Sequence, residues 1–121
     1  MIMLKDNHID FCGGMTAAIR QTKAFLTQHQ LDLHIVVEAR NLQEVRDIIA
    51  EGGVKRILLD NFNYEQTREA VAFVAGRCET ESSGNINELT LRHYAECGVT
   101  HISSGALTHS ISNMDLSLKA F

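Results

Sequence analysis

Lys5, Glu38, Asp60, Ser82 and Ser103 each close a short apolar run, at intervals of 33, 22, 22 and 21 residues. The types at these positions could do chemistry together. A lysine offers positive charge to an anionic substrate, or to negative charge developing in a transition state. Glu38 and Asp60 stand one interval apart. Two carboxylates so spaced suit the vicinal hydroxyls of a ribose, or a Mg²⁺ carried by a pyrophosphate. The last two runs open into Ser82-Ser83-Gly84-Asn85 and Ser103-Ser104-Gly105-Ala106-Leu107-Thr108-His109. Glycine in such a loop lets the backbone approach a phosphate, and a following helix presents free N–H groups there. In order, the groups suit a phosphorylated sugar beside an acidic partner. Each also has a plainer reading. Lys5 could be a surface ion-pair partner, Glu38 an exposed residue before a helix, and Asp60-Asn61 a turn. Ser-Ser-Gly is common in loops, and His8 and His109 could be structural, as His29, His34, His93 and His101 are read to be. Their shared place at successive run ends favours function.

The elements that must position them are legible as periodicity. The apolar runs are Ile2-Met3-Leu4, Leu33 to Val37, Arg56 to Leu59, a weak Cys78 to Glu81, and Val99 to Ile102. Short runs rich in β-branched residues and leucine fit buried parallel strands. Between them, residues 15–28, then Leu42, Val45, Ile48 and Ile49, then Ala70, Val71, Phe73 and Val74 repeat at helical spacing. A fourth helix around Leu89, Leu91, Tyr94 and Ala95 follows less cleanly. Asn41 with Glu44, and Asn63 with Gln66, read as capping boxes, and Asn87 opens the fourth helix. Gly52-Gly53, Gly76 and Gly98 read as left-handed helix stops.

A period near 22 residues is one strand, one short helix and two tight loops. The expected fold class is therefore α/β, with alternating βα units of a TIM-like (β/α) barrel. In such folds ligands lie at the carboxyl ends of the strands, which stand about 4.8 Å apart, so the polar ends would share one rim. An eight-unit barrel needs about 250 residues, and 121 supply about five strands. The expectation is an incomplete barrel: an open sheet, a half-barrel that pairs with a second chain, or a fragment. Met1 entering an apolar run at once favours the fragment. Unpaired edges and an apolar inner face would then drive self-association.

Composition excludes other classes. One domain fits the length, and 45% apolar with 21% charged residues argues against disorder. A net charge of −4 offers no broad attraction for nucleic acid. No apolar run approaches the roughly 20 residues of a membrane span. No signal peptide is visible, and Cys12, Cys78 and Cys97 form neither a disulfide framework nor a zinc knuckle. A reducing, cytoplasmic setting is expected.

Several blocks together resemble one family. They are Leu4-Lys5-Asp6-Asn7-His8-Ile9, Val37-Glu38-Ala39-Arg40-Asn41-Leu42, Leu58-Leu59-Asp60-Asn61-Phe62, Glu81-Ser82-Ser83-Gly84, Tyr94 to Val99, and Ser104 to Ser110. In this order and spacing they closely resemble quinolinate phosphoribosyltransferase, the carboxylating nicotinate-nucleotide pyrophosphorylase. The likeness runs from Met1 to Asp115-Leu116-Ser117-Leu118. It implies joining of quinolinate to 5-phosphoribosyl 1-pyrophosphate with Mg²⁺, releasing pyrophosphate and carbon dioxide and leaving nicotinate mononucleotide, a step of NAD synthesis. It implies Lys5 near the quinolinate carboxylates, Glu38 and Asp60 on ribose hydroxyls and metal-pyrophosphate, and Ser83, Gly84, Gly105 and His109 around the 5′-phosphate. It also implies a homo-oligomer. Residues 1–121 would be the carboxyl-terminal part of the barrel, without the upstream arginine, histidine and lysine cluster that grips quinolinate. Little or no activity of the chain alone is expected. Asn85 departs from the family, which usually has a second glycine there. The alternatives are a non-catalytic half-barrel assembly module and an aldolase-like barrel using Lys5 as a Schiff base.

Overall fold

The computed structural model describes residues 1–108 and 117–119. The strands are β1 (Ile2–Leu4), β2 (Ile35–Ala39), β3 (Arg56–Asp60), β4 (Glu79–Ser83) and β5 (His101–Ile102). The helices are α1 (Asp6–Phe11), α2 (Met15–Gln28), α3 (Leu42–Glu51), α4 (Tyr64–Val74) and α5 (Leu91–Glu96), with a 3₁₀ turn at Gly105–Leu107. All neighbouring strands pair in parallel, in the order β1-β2-β3-β4-β5. Parallel crossovers are right-handed, so an order that never reverses keeps every crossover helix on the same face of the sheet. This winding is that of a barrel wall, and the α/β expectation holds.

The core follows from the period of two along each strand. Ile35, Val37, Ala39, Ile57 and Leu59 face the helices and pack with Ile19, Val45, Ile48, Ala70 and Val74. The caps of α3 and α4 are local and form where expected, whereas Thr90 rather than Asn87 is the N-cap of α5, because the Asn87 side chain accepts from the Leu89 and Thr90 N–H groups in the turn before that helix. Asn41 Oδ1 accepts from the Glu44 N–H, and Asn63 and Gln66 form a reciprocal box. Gly52 caps α3 at φ +68°, but Ala75, at φ +48°, takes the left-handed cap of α4 one residue before Gly76. Among the described residues no helix is long and apolar enough to cross a membrane.

Two expectations are corrected. The first two strands are joined by two helices, α1 and α2, rather than by the one expected at residues 15–28, which accounts for the long first interval. The inner face of the sheet is not predominantly apolar. Arg56 donates to Glu79 at 2.9 and 3.0 Å and to Glu81 at 2.8 Å, while Lys55 and His101 also pair with Glu79, at 2.9 and 3.1 Å. The cause is the alternation in β4, which turns Thr80 and Ser82 toward the helices and leaves Glu79 and Glu81 opposite Arg56 and Leu58.

The Lys55 ammonium, then Arg56 and His101, hold the Glu79 carboxyl down at about 2. Because its folded pKa lies below the unfolded one, its contribution is present above the ordinary carboxylate range and is lost as pH falls toward 2. Melting curves between pH 5 and about 2 should show this loss, and Glu79→Gln should flatten that part of the profile. Ser82 presents the opposite case. It is buried, and its Oγ has no hydrogen-bond partner. Ser82→Ala is expected to stabilise the fold by about 1 kcal/mol, because a buried unsatisfied hydroxyl is removed at little cost in volume. A lowered melting temperature would show that the hydroxyl is satisfied.

Candidate functional site

The rim at the carboxyl ends of the strands starts at β1. Lys5 follows Leu4 and is the N-cap residue of α1, where its backbone N–H donates to His8 Nδ1 at 3.1 Å. That nitrogen accepts the bond, which gives His8 a capping role. Register places Leu4 beside Val37, so Lys5 and Glu38 follow side by side. Their charged groups lie 3.9 Å apart, with Glu38 buried and Lys5 exposed. Asp60 ends β3 and pairs in register with Ser83, the last residue of β4. Lys5, Glu38, Asp60 and Ser83 thus occupy four adjacent strand ends in sequence.

Electrostatics couple the acids. Burial raises the pKa of Glu38, and the Asp60 charge raises it further; Lys5 and a hydrogen bond from the Asp6 backbone N–H oppose this. Lys5 and the Asp6 N–H only partly offset burial and the like charge, so a further cation or hydroxyl donors would favour the ionised carboxylate. Among the described residues no third histidine, cysteine or acid joins this pair to make a protein cage. Glu38 and Asp60 are the residues that would hold a Mg²⁺ brought by a pyrophosphate, where it would neutralise phosphate charge.

Sequence reasoning missed the part played by Asn61. It adopts φ +54°, donates its backbone N–H to the Ser83 carbonyl at 2.9 Å, and donates Nδ2 to Asp60 at 3.1 Å. Its Oδ1 accepts from Asn85 Nδ2 at 3.2 Å. Asn61 therefore ties the acid on β3 to the loop after β4. Its only signal in the sequence was an Asp-Asn pair, which equally reads as a turn. Gly84, at φ +92°, lies so close that a Cβ there would stand 2.2 Å from Asn61 Oδ1. Asn85 takes φ +52°, so asparagine serves where the resemblance has glycine.

The fifth strand end joins this loop. Ser103 donates its N–H to the Ser82 carbonyl at 3.0 Å and its hydroxyl to Glu81, and the Ser104 hydroxyl donates to the Ile86 carbonyl. Gly105 opens the exposed 3₁₀ turn beyond Ser104. The structure therefore brings Lys5, Glu38, Asp60, Ser83, Gly84 and Gly105 to one end of the sheet. His109 lies outside the described residues.

The comparisons bear on this geometry. The quinolinate phosphoribosyl transferase C-terminal domain model matches residues 1–119. The chloroplastic nicotinate-nucleotide pyrophosphorylase [carboxylating] of rice (Oryza sativa subsp. japonica) is 44% identical, over 98% of this chain and 36% of that protein. The solved nicotinate-nucleotide pyrophosphorylase of Francisella tularensis superposes with a TM-score of 0.81 at 35% identity, over 97% of this chain and 40% of that one. That of Ehrlichia chaffeensis gives a TM-score of 0.83 at 35% identity, over 94% and 40%. The chain thus spans well under half the length of these relatives. A likeness carried by both sequence and backbone, from the first strand to the tail, makes the chain a member of the quinolinate phosphoribosyl transferase C-terminal domain family.

Proposed function

We propose that this chain supplies the strand-end part of a site that transfers phosphoribose from 5-phosphoribosyl 1-pyrophosphate to quinolinate, with loss of carbon dioxide, to give nicotinate mononucleotide and pyrophosphate for NAD synthesis. The observation that carries this reading is the row of Lys5, Glu38 and Asp60 on three adjacent strand ends, with the two acids electrostatically coupled. Tobacco relatives bear the name quinolinate phosphoribosyltransferase [decarboxylating], which supports the substrate class.

The division of labour follows from charge. Glu38 and Asp60 accept hydrogen bonds from the ribose hydroxyls and hold the metal-pyrophosphate side. Mg²⁺, when bound there, neutralises charge on the departing pyrophosphate. Lys5 faces the quinolinate carboxylates and the reacting carbon. Ser83, Gly84, Gly105 and His109 receive the 5′-phosphate. As the C1–O bond to pyrophosphate breaks, its electron pair leaves with pyrophosphate and the ring nitrogen bonds C1; the bond from the adjacent ring carbon to its carboxylate then breaks, carbon dioxide leaves, and the electron pair left on that carbon takes a proton from water. That path passes through a cationic sugar, which asks for positioning and charge stabilisation rather than a protein nucleophile.

The chain spans 36% of the rice relative and 40% of the Francisella tularensis one, so the chain alone should turn over little or nothing. Among the described residues no strand pairs with the outer edges of β1 and β5, which supports assembly with further chain, and we propose a homo-oligomer. We also propose a cytoplasmic setting. The three free cysteines support a reducing compartment, although the rice and tobacco relatives carry chloroplastic and mitochondrial names. Calorimetric titration of the chain with 5-phosphoribosyl 1-pyrophosphate and Mg²⁺ tests the proposal. Binding at millimolar ligand or below is expected, with nicotinate mononucleotide formed once an upstream half is supplied. No binding even then would favour a non-catalytic assembly module.

A further inference from the structure

Residues 117–119 return to the first strand end. Asn7 Nδ2 donates to the Leu118 carbonyl at 2.9 Å, and the Lys119 ammonium pairs with the Asp6 carboxylate. These contacts join positions 111 and 113 residues apart, so no local signal imposes them. Asp6 stands between the tail and the site. Its carboxylate also accepts from the Asn7 N–H at 2.7 Å, and its own N–H hydrogen-bonds Glu38. It directly follows Lys5, whose ammonium lies 3.9 Å from Glu38.

The role of Lys119 is narrowed by where it sits. A cation beside a helix N-terminus opposes the helix dipole, so Lys119 does not serve α1 as a helix. Its favourable interactions are with the carboxylates. The Asp6 side chain is only 17% exposed and that of Lys119 is 56% exposed, so the acid is the group held in place. The six residues of α1 bury only Ile9, a weak hold on the core. Polar ties must then set where its N-terminus sits. At the other end of α1, Arg40 reaches Asp10 at 3.4 Å and Glu44 at 2.7 Å. The Lys119 pair also pulls the Asp6 carboxyl below the usual range.

We propose that Lys119 is a positioning residue: through Asp6 it fixes the turn after β1, so that the Asp6 N–H and the Lys5 ammonium both face Glu38. This rests on the role given to Glu38 above and extends that site to the tail.

The test compares the full chain with Lys119→Met, which removes the charge, and Lys119→Arg, which restores it. The readouts are the Asp6 backbone amide resonance by NMR and the affinity for 5-phosphoribosyl 1-pyrophosphate with Mg²⁺. Lys119→Met should move the Asp6 amide upfield and weaken binding about fivefold, as loss of an ion pair of about 1 kcal/mol would. Lys119→Arg should return both to within about twofold of the original on the same scale. An unmoved amide with unchanged affinity overturns the proposal, even if the melting temperature falls. So does failure of the arginine to restore either readout. If the unaltered chain does not bind the ligand, the proposed function fails, and the amide shift with its arginine rescue decides this inference alone.

Discussion

Glu38→Gln is expected to cost about a hundredfold in affinity for 5-phosphoribosyl 1-pyrophosphate with Mg²⁺, the usual scale for removing a buried charge that meets a ligand. It should not cost stability. Burial and the Asp60 charge raise the Glu38 pKa, so in the free protein its ionised form is disfavoured relative to the unfolded chain. The folded state then keeps a proton that the unfolded state releases, and stability falls as pH rises through the window just above the ordinary carboxylate range. Glutamine should flatten that decline and leave the protein as stable or more so at neutral pH. Calorimetry and melting curves read the two effects separately. If Glu38 were instead a structural partner of Lys5, its loss would lower the melting temperature and leave affinity unchanged. That outcome would remove Glu38 from the site.

Gly84→Ala should be the most damaging small change in the rim. The added Cβ would lie 2.2 Å from Asn61 Oδ1 and 3.0 Å from the Asn61 backbone nitrogen, at a φ of +92° that L residues rarely adopt. Dihedral strain and overpacking together suggest about 3 kcal/mol, or a fall of about 10 °C in melting temperature. Relief by moving Asn61 would break its link to Asp60, so ligand affinity should fall as well. Gly76→Ala is the internal control. Its φ is +74°, but nothing lies within 4 Å of the new Cβ, so only the dihedral cost of about 1 kcal/mol applies. Equal losses from both variants would mean that the approach to Asn61 carries no energy.

Residues acting on near neighbours were readable in the chain. Asn63 and Gln66 form their box because both partners lie within one helical turn. Val37 and Leu59 announce buried strands by type alone. Lys5, Glu38 and Asp60 stood out because a strand must end in something, and here each ends in charge. Asparagine tolerates a left-handed backbone better than most residues, and Asn85 adopts one where the resemblance has glycine.

Other features had no local signature. Ser82 closes an apolar run in the sequence, yet pairing with Leu59 turns it into the core and gives the rim position to Ser83. Helix α1 has one buried residue and therefore no apolar stripe to detect. The Arg56 network depends on β4 lying beside β3 in one particular register. Asn61 binds Asp60 and faces Asn85 only once two loops meet. The amino-acid sequence by itself determined which residues carry charge, where strands and helices repeat, and where helices are capped, because those depend on chemistry within a few residues. Tertiary structure alone decided which face each strand residue takes and which loops touch, because a one-residue change of register reverses every side chain and that register is set by partners twenty or more residues away.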